Sequence, residues 1–166
     1  MGDAFAELIA FLDEHGTRYR VIAHAPEGRT EIVSQLRGHA LSQAAKCIVM
    51  MVKIGKKTTK YVLGVVPGDA LVNLNVVKSL MNATYISFAS PHVAERLAGS
   101  EAGTILPFSF NSELELIADP SLLENDELYF NAARLDRSIA LNTNDYVALA
   151  KPRLERIAIF RIVEPV

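Results

Sequence analysis

The chain of 166 residues is 50% hydrophobic and 22% charged, with a formal net charge of −2 and a pI near 6.1. This composition predicts one globular domain over residues 1–166 and argues against a wide basic face that binds DNA or other nucleic acid without specificity. We expect no membrane partner, because no apolar run reaches the ~20 residues that a bilayer crossing needs.

The N-terminal part of the chain predicts two short helices with a strand between them. Apolar residues at helical spacing predict an amphipathic helix over residues 3–15. Alternating side chains from Arg18 to His24 predict a strand. Thr30 is placed to cap a second helix, which Gly38 ends, and a helical turn from Leu41 to Ala45 follows.

The stretch from Ala44 to Asp69 predicts a hairpin of two apolar strands joined by a basic turn. Lys46 stands at the entrance of the first strand, just before the apolar run Cys47–Val52, where folding requires no charge. The turn region carries a cluster of lysines, Lys53, Lys56, Lys57 and Lys60. Two interpretations stay open for this cluster: a solvated tip that protects strand edges, or a local contact with nucleic acid.

The middle of the chain predicts further short elements. A helix that ends at Met81 is followed by a strand from Thr84 to Ala89. Pro91 then begins a helix that continues from His92 to Leu97. The segment Gly103–Phe108 is neither periodic nor charged, and it predicts a shaped loop.

The C-terminal part predicts three strands, a helix and a last strand: Leu114–Ala118, Leu128–Ala132, Ser138–Asn142, Asn144–Leu149 and Arg156–Val163. Strands outnumber helices, and several strands are neighbours in sequence, without the regular alternation that an all-parallel sheet requires. The sequence therefore predicts an α+β domain with a curved, mixed and mostly antiparallel sheet flanked by short helices.

Standard catalytic motifs are missing from the sequence. It holds no Gly-x-Ser-x-Gly elbow, no phosphate-binding glycine loop and no pair of histidines at metal-binding spacing. The four histidines are scattered, and we interpret them as surface or hydrogen-bonded residues. The single cysteine, Cys47, excludes an internal disulfide, favours the cytoplasm and is interpreted as a small apolar residue rather than a nucleophile. We predict neither a cofactor nor a metal.

A pocket formed by backbone remains as a candidate site. Gly64 and Pro67-Gly68 lie towards the end of one predicted strand, and Gly103 to Pro107 form a second loop. Glycine lets a backbone approach a ligand closely, and its N–H can hold a carbonyl oxygen on which negative charge develops during ester hydrolysis. Ordinary turns are the alternative interpretation of the same residues.

Segments spread along the chain resemble, in their order and spacing, the YbaK family, also called the prolyl-tRNA synthetase editing-domain family: Glu27–Thr30, Ser42–Lys46, Tyr61–Asp69 and Gly103–Phe108. The resemblance extends from about Tyr19 to Leu149. Its most specific parts are the Ala-Ala-Lys entry to the first hairpin strand and the Gly-x-x-x-Pro loop. Free-standing members of the family hydrolyse the ester between a wrong amino acid and tRNA. The resemblance therefore implies a trans-editing aminoacyl-tRNA deacylase.

The resemblance also implies roles for individual residues. Lys46 matches the family's functional lysine, which would hold the terminal phosphate region of the tRNA acceptor end, a role that suits a compact cation. Gly103 matches the backbone that positions the carbonyl group, and Asn131 matches a position where several relatives carry histidine. The implied substrate-binding residues are Thr30, Ser42, Gly64, Pro67, Gly68, Pro107 and Asn131.

The implied mechanism is direct attack of water on the ester, with backbone N–H groups stabilising the oxyanion and the neighbouring ribose hydroxyl assisting. The expected partner is the acceptor end of a tRNA mischarged with a small residue such as alanine, serine or threonine, with an aminoacyl-tRNA synthetase as a further candidate. A catalytically inactive module that binds tRNA ends or a synthetase is the main alternative. A third reading, a binder of small amino acids, leaves the lysine cluster without a role.

Overall fold

A computed structural model describes residues 3–160 of the chain. Its helices are α1 (Ala4–Glu14), α2 (Thr30–Arg37), α3 (Leu74–Leu80), α4 (Pro91–Ala98) and α5 (Thr143–Ala150), with 3₁₀ turns at Leu41–Gln43 and Pro120–Glu124. Its strands are β1 (Tyr19–Ala23), β2 (Ala45–Ile54), β3 (Thr58–Pro67), β4 (Ala70–Val72), β5 (Tyr85–Phe88), β6 (Leu114–Ala118), β7 (Glu127–Arg134), β8 (Arg137–Asn142), β9 (Arg153–Leu154) and β10 (Ala158–Phe160).

The strands form three hydrogen-bonded groups. The largest has the order β5-β2-β3-β6-β9, in which β6 runs parallel to both β3 and β9. A second group has the order β1-β8-β7, and a third consists of β4 and β10; the pairs in both are antiparallel. The predicted α+β class with mixed, mostly antiparallel pairing is therefore confirmed.

The predicted hairpin is the centre of the largest sheet. β2 and β3 pair without a break, from Ala45 opposite Pro67 to Ile54 opposite Thr58. Side chains alternate along both strands, so successive residues enter two different apolar clusters. Val49 and Leu63 belong to a cluster shared with α1, β7 and β8, whereas Met50 belongs to one shared with α3 and β4. The hairpin thus separates two cores.

Local signals set most helix ends, with one correction. Ser90 caps α4 by accepting a hydrogen bond from the N–H of Val93 over 3.3 Å, and Gly99 ends that helix with a φ of 75°. Thr30, in contrast, does not cap α2, because it is already the first helical residue and Arg29 occupies the cap position. That prediction is wrong because Arg29 stays extended while its guanidinium pairs with Glu27.

The C-terminal elements agree with the sequence where the structure describes them. α5 covers the predicted helix, and Asn142 caps it by accepting from the N–H of Asp145 over 3.1 Å. The predicted last strand corresponds to β10, and residues 161–163 of that prediction lie outside the described range. None of the helices within residues 3–160 combines the length and apolarity needed to span a membrane.

Candidate functional site

A cavity of about 140 Å³ lies where the chain enters β2, between the start of α2, the loop at Gly103 and β7. Its polar lining residues are Thr30, Arg37, Lys46, Tyr129 and Asn131. Its other lining residues are Gly28, Val33, Ala44, Ala45, Cys47, Gly103, Ile105 and Phe130. Neither aspartate nor glutamate is among these lining residues, so the charged side chains at the cavity are cationic.

Lys46 is the second residue of β2 and pairs with Val66 of β3. It lines the cavity, and its ammonium group donates a hydrogen bond to the carbonyl oxygen of Ala70 in β4. Lys46 lies on the same face of β2 as Met50, whose side chain packs into the second core, and Ala70 belongs to that core. The lysine therefore joins the cavity rim to β4.

Gly28 and Gly103 bring two loops into close contact at the cavity. A Cβ atom built on Gly103 would lie 3.0 Å from the Cα of Gly28, and one built on Gly28 would lie 3.4 Å from the Cα of Gly103. Gly103 also has a φ of 84°, which L side chains rarely adopt. Within residues 3–160 its N–H donates to no backbone acceptor. Gly103 therefore requires glycine, whereas a Cβ atom on Gly28 would press mainly on the end of the Leu135 side chain, at 3.2 Å.

Asn131 of β7 ties these loops together. Its Nδ2 donates to the carbonyl oxygen of Glu27 over 2.8 Å and to that of Gly103 over 2.9 Å. Its Oδ1 accepts from Arg37 Nη2 over 2.9 Å and from the hydroxyl of Ser138 over 3.0 Å. Asn131 is only 6% exposed, so each of these contacts lies in a low-dielectric environment where a lost partner is costly.

Arg37 is the functional candidate that sequence reasoning missed. It lies in the last turn of α2, where a basic residue is usually interpreted as a partner of the helix dipole. Its side chain instead turns into the cavity wall and donates from Nε to the hydroxyl of Ser138 over 2.7 Å. Burial lowers the pKa of Arg37 to about 10, which leaves the guanidinium charged at neutral pH.

His39 does not line the cavity but contacts two residues that do, Arg37 and Tyr129. Its ring stacks on Tyr129 with centroids 3.8 Å apart, and its Nδ1 donates to the carbonyl oxygen of Ala40 over 2.8 Å. Burial lowers the pKa of His39, and the neighbouring Arg37 lowers it further. The imidazole is therefore neutral at pH 7, and its Nε2 can accept from Arg37 Nη1 at 3.4 Å.

Comparison with known proteins assigns the family. The model of the aminoacyl-tRNA editing domain matches residues 24–149, which include every residue that lines the cavity. The chain belongs to the aminoacyl-tRNA editing domain family. The resemblance found in the sequence motifs is thereby confirmed.

Relatives of this editing domain are found both as short proteins and within longer ones. It is 42% identical over 148 residues to the multifunctional Ser/Thr-tRNA deacylase ProXp-y of Escherichia coli K12, covering 89% of this chain and 88% of that protein. It is 33% identical over 97 residues to the proline–tRNA ligase of Bacillus licheniformis, covering 58% of this chain but 16% of the ligase.

Solved structures share the fold of this editing domain. The hypothetical protein APE2540 superimposes with a TM-score of 0.82 at 18% identity, over 92% of this chain and 99% of that one. A candidate trans-editing enzyme for prolyl tRNA synthetase gives a TM-score of 0.78 at 19% identity, over 96% and 99% of the two chains. At these identities the likeness establishes the architecture alone.

Cys47 lines the cavity of the editing domain but lacks the properties of a nucleophile. Burial raises the pKa of its thiol, so the sulfur is protonated at neutral pH. Its thiol donates a weak hydrogen bond to the carbonyl oxygen of Ala45 at 3.7 Å. Nor do the histidine, cysteine and acidic side chains within residues 3–160 form any group of three or more that could hold a metal ion.

Gly64 and Pro107, both predicted to bind substrate, lie in the core of the editing domain. A Cβ atom on Gly64 would come within 2.7 Å of Met50 Cε, so this glycine makes room for a core side chain. Pro107 is buried, and its carbonyl oxygen accepts from the hydroxyl of Tyr146 over 2.8 Å. Neither residue lines the cavity.

Ser42 and Gly68 lie next to the start of β2. The carbonyl oxygen of Ser42 accepts from Asn125 Nδ2 over 3.1 Å. The N–H of Gly68 donates to the carbonyl oxygen of Ala44 over 3.0 Å, and a Cβ atom on Gly68 would lie 3.0 Å from Thr30 Cγ2. Pro67 pairs with Ala45. Pro67 and Gly68 therefore contact lining residues, and neither they nor Ser42 line the cavity.

The lysine cluster lies at the other end of the hairpin. Lys53 pairs with Thr59 beside the turn, whereas Lys46 pairs with Val66 near the start of β2. A rise of about 3.3 Å per residue separates Lys53 from Lys46 by about 23 Å. All the cluster lysines, Lys53, Lys56, Lys57 and Lys60, are exposed. Any nucleic acid that they contact must therefore extend well beyond the cavity.

Proposed function

We propose that this protein hydrolyses the ester of mischarged aminoacyl-tRNA in trans. The observation that carries this proposal is a cavity shared by residues from separate segments of the chain: Thr30, Lys46, Gly103 and Asn131. An ester-hydrolysing function is further supported by the 42% identity to a Ser/Thr-tRNA deacylase over nearly the full length of both chains.

Serine and threonine are the amino acids we infer to be removed. The cavity of about 140 Å³ suits a small side chain, and Thr30 is a hydroxyl-bearing residue in its lining. The E. coli relative is named for the same two amino acids. A site that hydrogen-bonds the hydroxyl of serine or threonine rejects an apolar amino acid strongly, because the apolar side chain would leave the buried polar groups of the site without a partner.

The reaction requires a nucleophilic water and a place for the negative charge. Water attacks the carbonyl carbon, and the oxygen of that carbonyl becomes an oxyanion in the tetrahedral intermediate. The bond from this carbon to the ribose oxygen then breaks. One proton of the attacking water passes to the ribose oxygen and the other to solvent, and the amino acid leaves with a carboxylate. The N–H of Gly103 is our candidate donor to the oxyanion, and the adjacent ribose hydroxyl is our candidate for orienting the water.

Lys46 is proposed to bind the terminal phosphate of the acceptor end. Its ammonium group carries three donors, so it can hold a phosphate oxygen while it keeps its hydrogen bond to Ala70. A compact cation at the rim would place the ester over the cavity without entering the chemistry.

The acceptor end of tRNA is the proposed partner, and the lysine cluster is a proposed second contact along the RNA. A synthetase is a weaker candidate partner, supported by the match to a stretch of a proline–tRNA ligase that covers 16% of its length. The cytoplasm, where translation takes place, is the proposed location.

Single-turnover deacylation of non-cognate tRNAs charged with serine or threonine tests the proposal. Purified protein should release the amino acid, and Lys46→Ala should slow release by about 100-fold, whereas Lys78→Ala, which changes a lysine of α3 away from the cavity, should not. Tight binding of aminoacyl-tRNA without ester loss would instead identify an inactive binding module. Normal turnover by Lys46→Ala would remove Lys46 from the site.

A further inference from the structure

Arg37 is a partly buried cation with an unusual set of partners. The arginines that form ion pairs have side chains between 36% and 72% exposed: Arg18, Arg20, Arg29, Arg134, Arg137 and Arg153. Arg37 is part-buried, lines the cavity and forms no ion pair with any carboxylate in the described part of the chain. Desolvating a charge in this way is costly unless an opposite charge arrives.

The guanidinium group is held in place and still has donors to offer. A guanidinium carries five N–H groups in a fixed plane. One is donated to Ser138 Oγ at 2.7 Å, one to Asn131 Oδ1 at 2.9 Å and one to His39 Nε2 at 3.4 Å. The remaining two, one on each terminal nitrogen, donate to no acceptor within residues 3–160, and we call this pair of donors the fork. A guanidinium can use two N–H groups to bind two oxygens of one anion.

The position of the fork indicates which anion it would meet. Asn131 contacts Arg37 through its oxygen and Gly103 through its nitrogen, so the fork lies beside the loop proposed to hold the carbonyl group. The ammonium group of Lys46, in contrast, bonds Ala70 on the side of the second core. The two cations therefore serve different sides of the cavity.

We propose that Arg37 binds the anionic oxygens of the acyl group: the oxyanion during hydrolysis and the carboxylate of the amino acid once released. This inference rests on the proposed deacylase function and adds a residue to it. It also makes the free amino acid a ligand of the enzyme, so that serine is a product inhibitor and serinamide, which lacks the carboxylate, is not. The phosphodiester of the terminal nucleotide is the other source of anionic oxygens.

Calorimetric titration with small probes distinguishes these sources without any tRNA. Wild-type protein should bind L-serine at least tenfold more tightly than L-serinamide, and Arg37→Gln should abolish this preference. Arg37→Lys, which keeps the charge but loses the fork, should retain part of it. Adenosine 5′-monophosphate, the probe for the phosphate, should bind Arg37→Gln and wild-type protein equally well.

Arg96→Gln is a matched control. Arg96 and Arg37 each lie in the last turn of an eight-residue helix that ends at a left-handed glycine, but Arg96 does not line the cavity. Arg96→Gln should keep the full preference for serine. Thermal unfolding of each variant shows whether a loss of binding reflects a loss of fold.

Two outcomes would overturn the proposal. One is equal or undetectable binding of serine and serinamide by wild-type protein, and the other is an unchanged preference in folded Arg37→Gln. A selective loss of adenosine 5′-monophosphate binding in that variant would assign Arg37 to the phosphate instead. Serine binding that depends on Arg37, found together with no deacylation, would contradict the deacylase function and leave the carboxylate site in place.

Discussion

The carboxamide of Asn131 donates to the carbonyl oxygen of Gly103 over 2.9 Å and thereby ties a core strand to the loop at the cavity. The same side chain also holds Glu27 and accepts from Arg37, so it fixes the geometry on which the proposed oxyanion contact depends. In this chain the amide of Asn131 donates to Glu27 and Gly103 and accepts from Arg37 and Ser138.

Asn131→Ala should lower both stability and turnover. It leaves two carbonyl oxygens and a guanidinium N–H with one partner fewer, at a cost of about 1–3 kcal/mol for each group that water cannot reach. We expect turnover to fall at least tenfold with little change in KM for the tRNA. Urea unfolding and single-turnover deacylation measure the two effects, with Asn75→Ala, a change at an exposed residue of α3, as the control. Wild-type turnover by Asn131→Ala would refute a positioning role.

Gly103→Ala should impair activity far beyond the effect of its backbone strain. Gly99 has a similar φ of 75° and nothing within 4 Å of an added Cβ, so Gly99→Ala isolates the strain, at about 1–2 kcal/mol. Gly103→Ala adds a 3.0 Å contact with Gly28 and displaces the loop. We expect a loss of turnover of at least 100-fold for Gly103→Ala and less than threefold for Gly99→Ala. Equal losses in the two variants would show that strain alone is responsible.

Asp119 should make stability depend on pH in acid. Its carboxylate accepts from the N–H groups of Ile157 and Ala158 at 2.8 Å each, and from the hydroxyl of Ser121 at 2.6 Å. Burial alone would raise the pKa of Asp119, but these hydrogen bonds outweigh it and leave the pKa below its ordinary value.

A depressed pKa means that the carboxylate stabilises the fold above the unfolded-state pKa of about 3.9 and that this contribution is lost as pH falls through the folded-state value. Asp119→Ala should therefore lower the free energy of unfolding by about 2–4 kcal/mol at pH 7, with a smaller difference at pH 3. Glu124→Ala, at an exposed carboxylate, is the control. A constant difference between pH 7 and pH 3 would contradict this assignment.

Reversing the charge of Lys56 and Lys57 tests the RNA contact of the lysine cluster. If these lysines hold phosphates, the double change to glutamate should raise KM about fivefold with nearly constant kcat, since an exposed ion pair contributes about 0.2–1 kcal/mol. The effect should weaken as salt rises. An unchanged KM at low salt would identify the cluster as a solvated tip. Lys78→Glu in α3, compared with Lys56→Glu alone, controls for net charge because each reverses one charge.

Elements with strong local signals could be predicted from the sequence. The hairpin of β2 and β3 follows from two apolar runs and a basic turn, and α4 follows from Pro91 and Gly99 at its ends. Lys46, Gly103 and Asn131 were chosen through the family resemblance, and all three line one cavity. Their chemical roles remain predictions.

Arg37 could not be found in the same way, because its surroundings come from distant parts of the chain. Its partners Asn131 and Ser138 lie 94 and 101 residues away along the sequence. Gly64 shows the opposite problem, since a glycine in a strand suggests a close approach of ligand but here admits the side chain of Met50. The surroundings of Arg37 and of Gly64 are both set by contacts between residues far apart in the sequence, which no local sequence pattern encodes.

The hydrogen bond from Lys46 to Ala70 has a consequence for how binding can be observed. β4, which contains Ala70, pairs with β10, so the last described strand of the chain is two contacts away from the cavity rim. A phosphate that draws the ammonium group away from Ala70 would loosen this small ladder, whereas one that leaves the bond intact would rigidify it. Deuterium uptake at the amides of β4 and β10 would thus report occupancy of a site that those strands do not line.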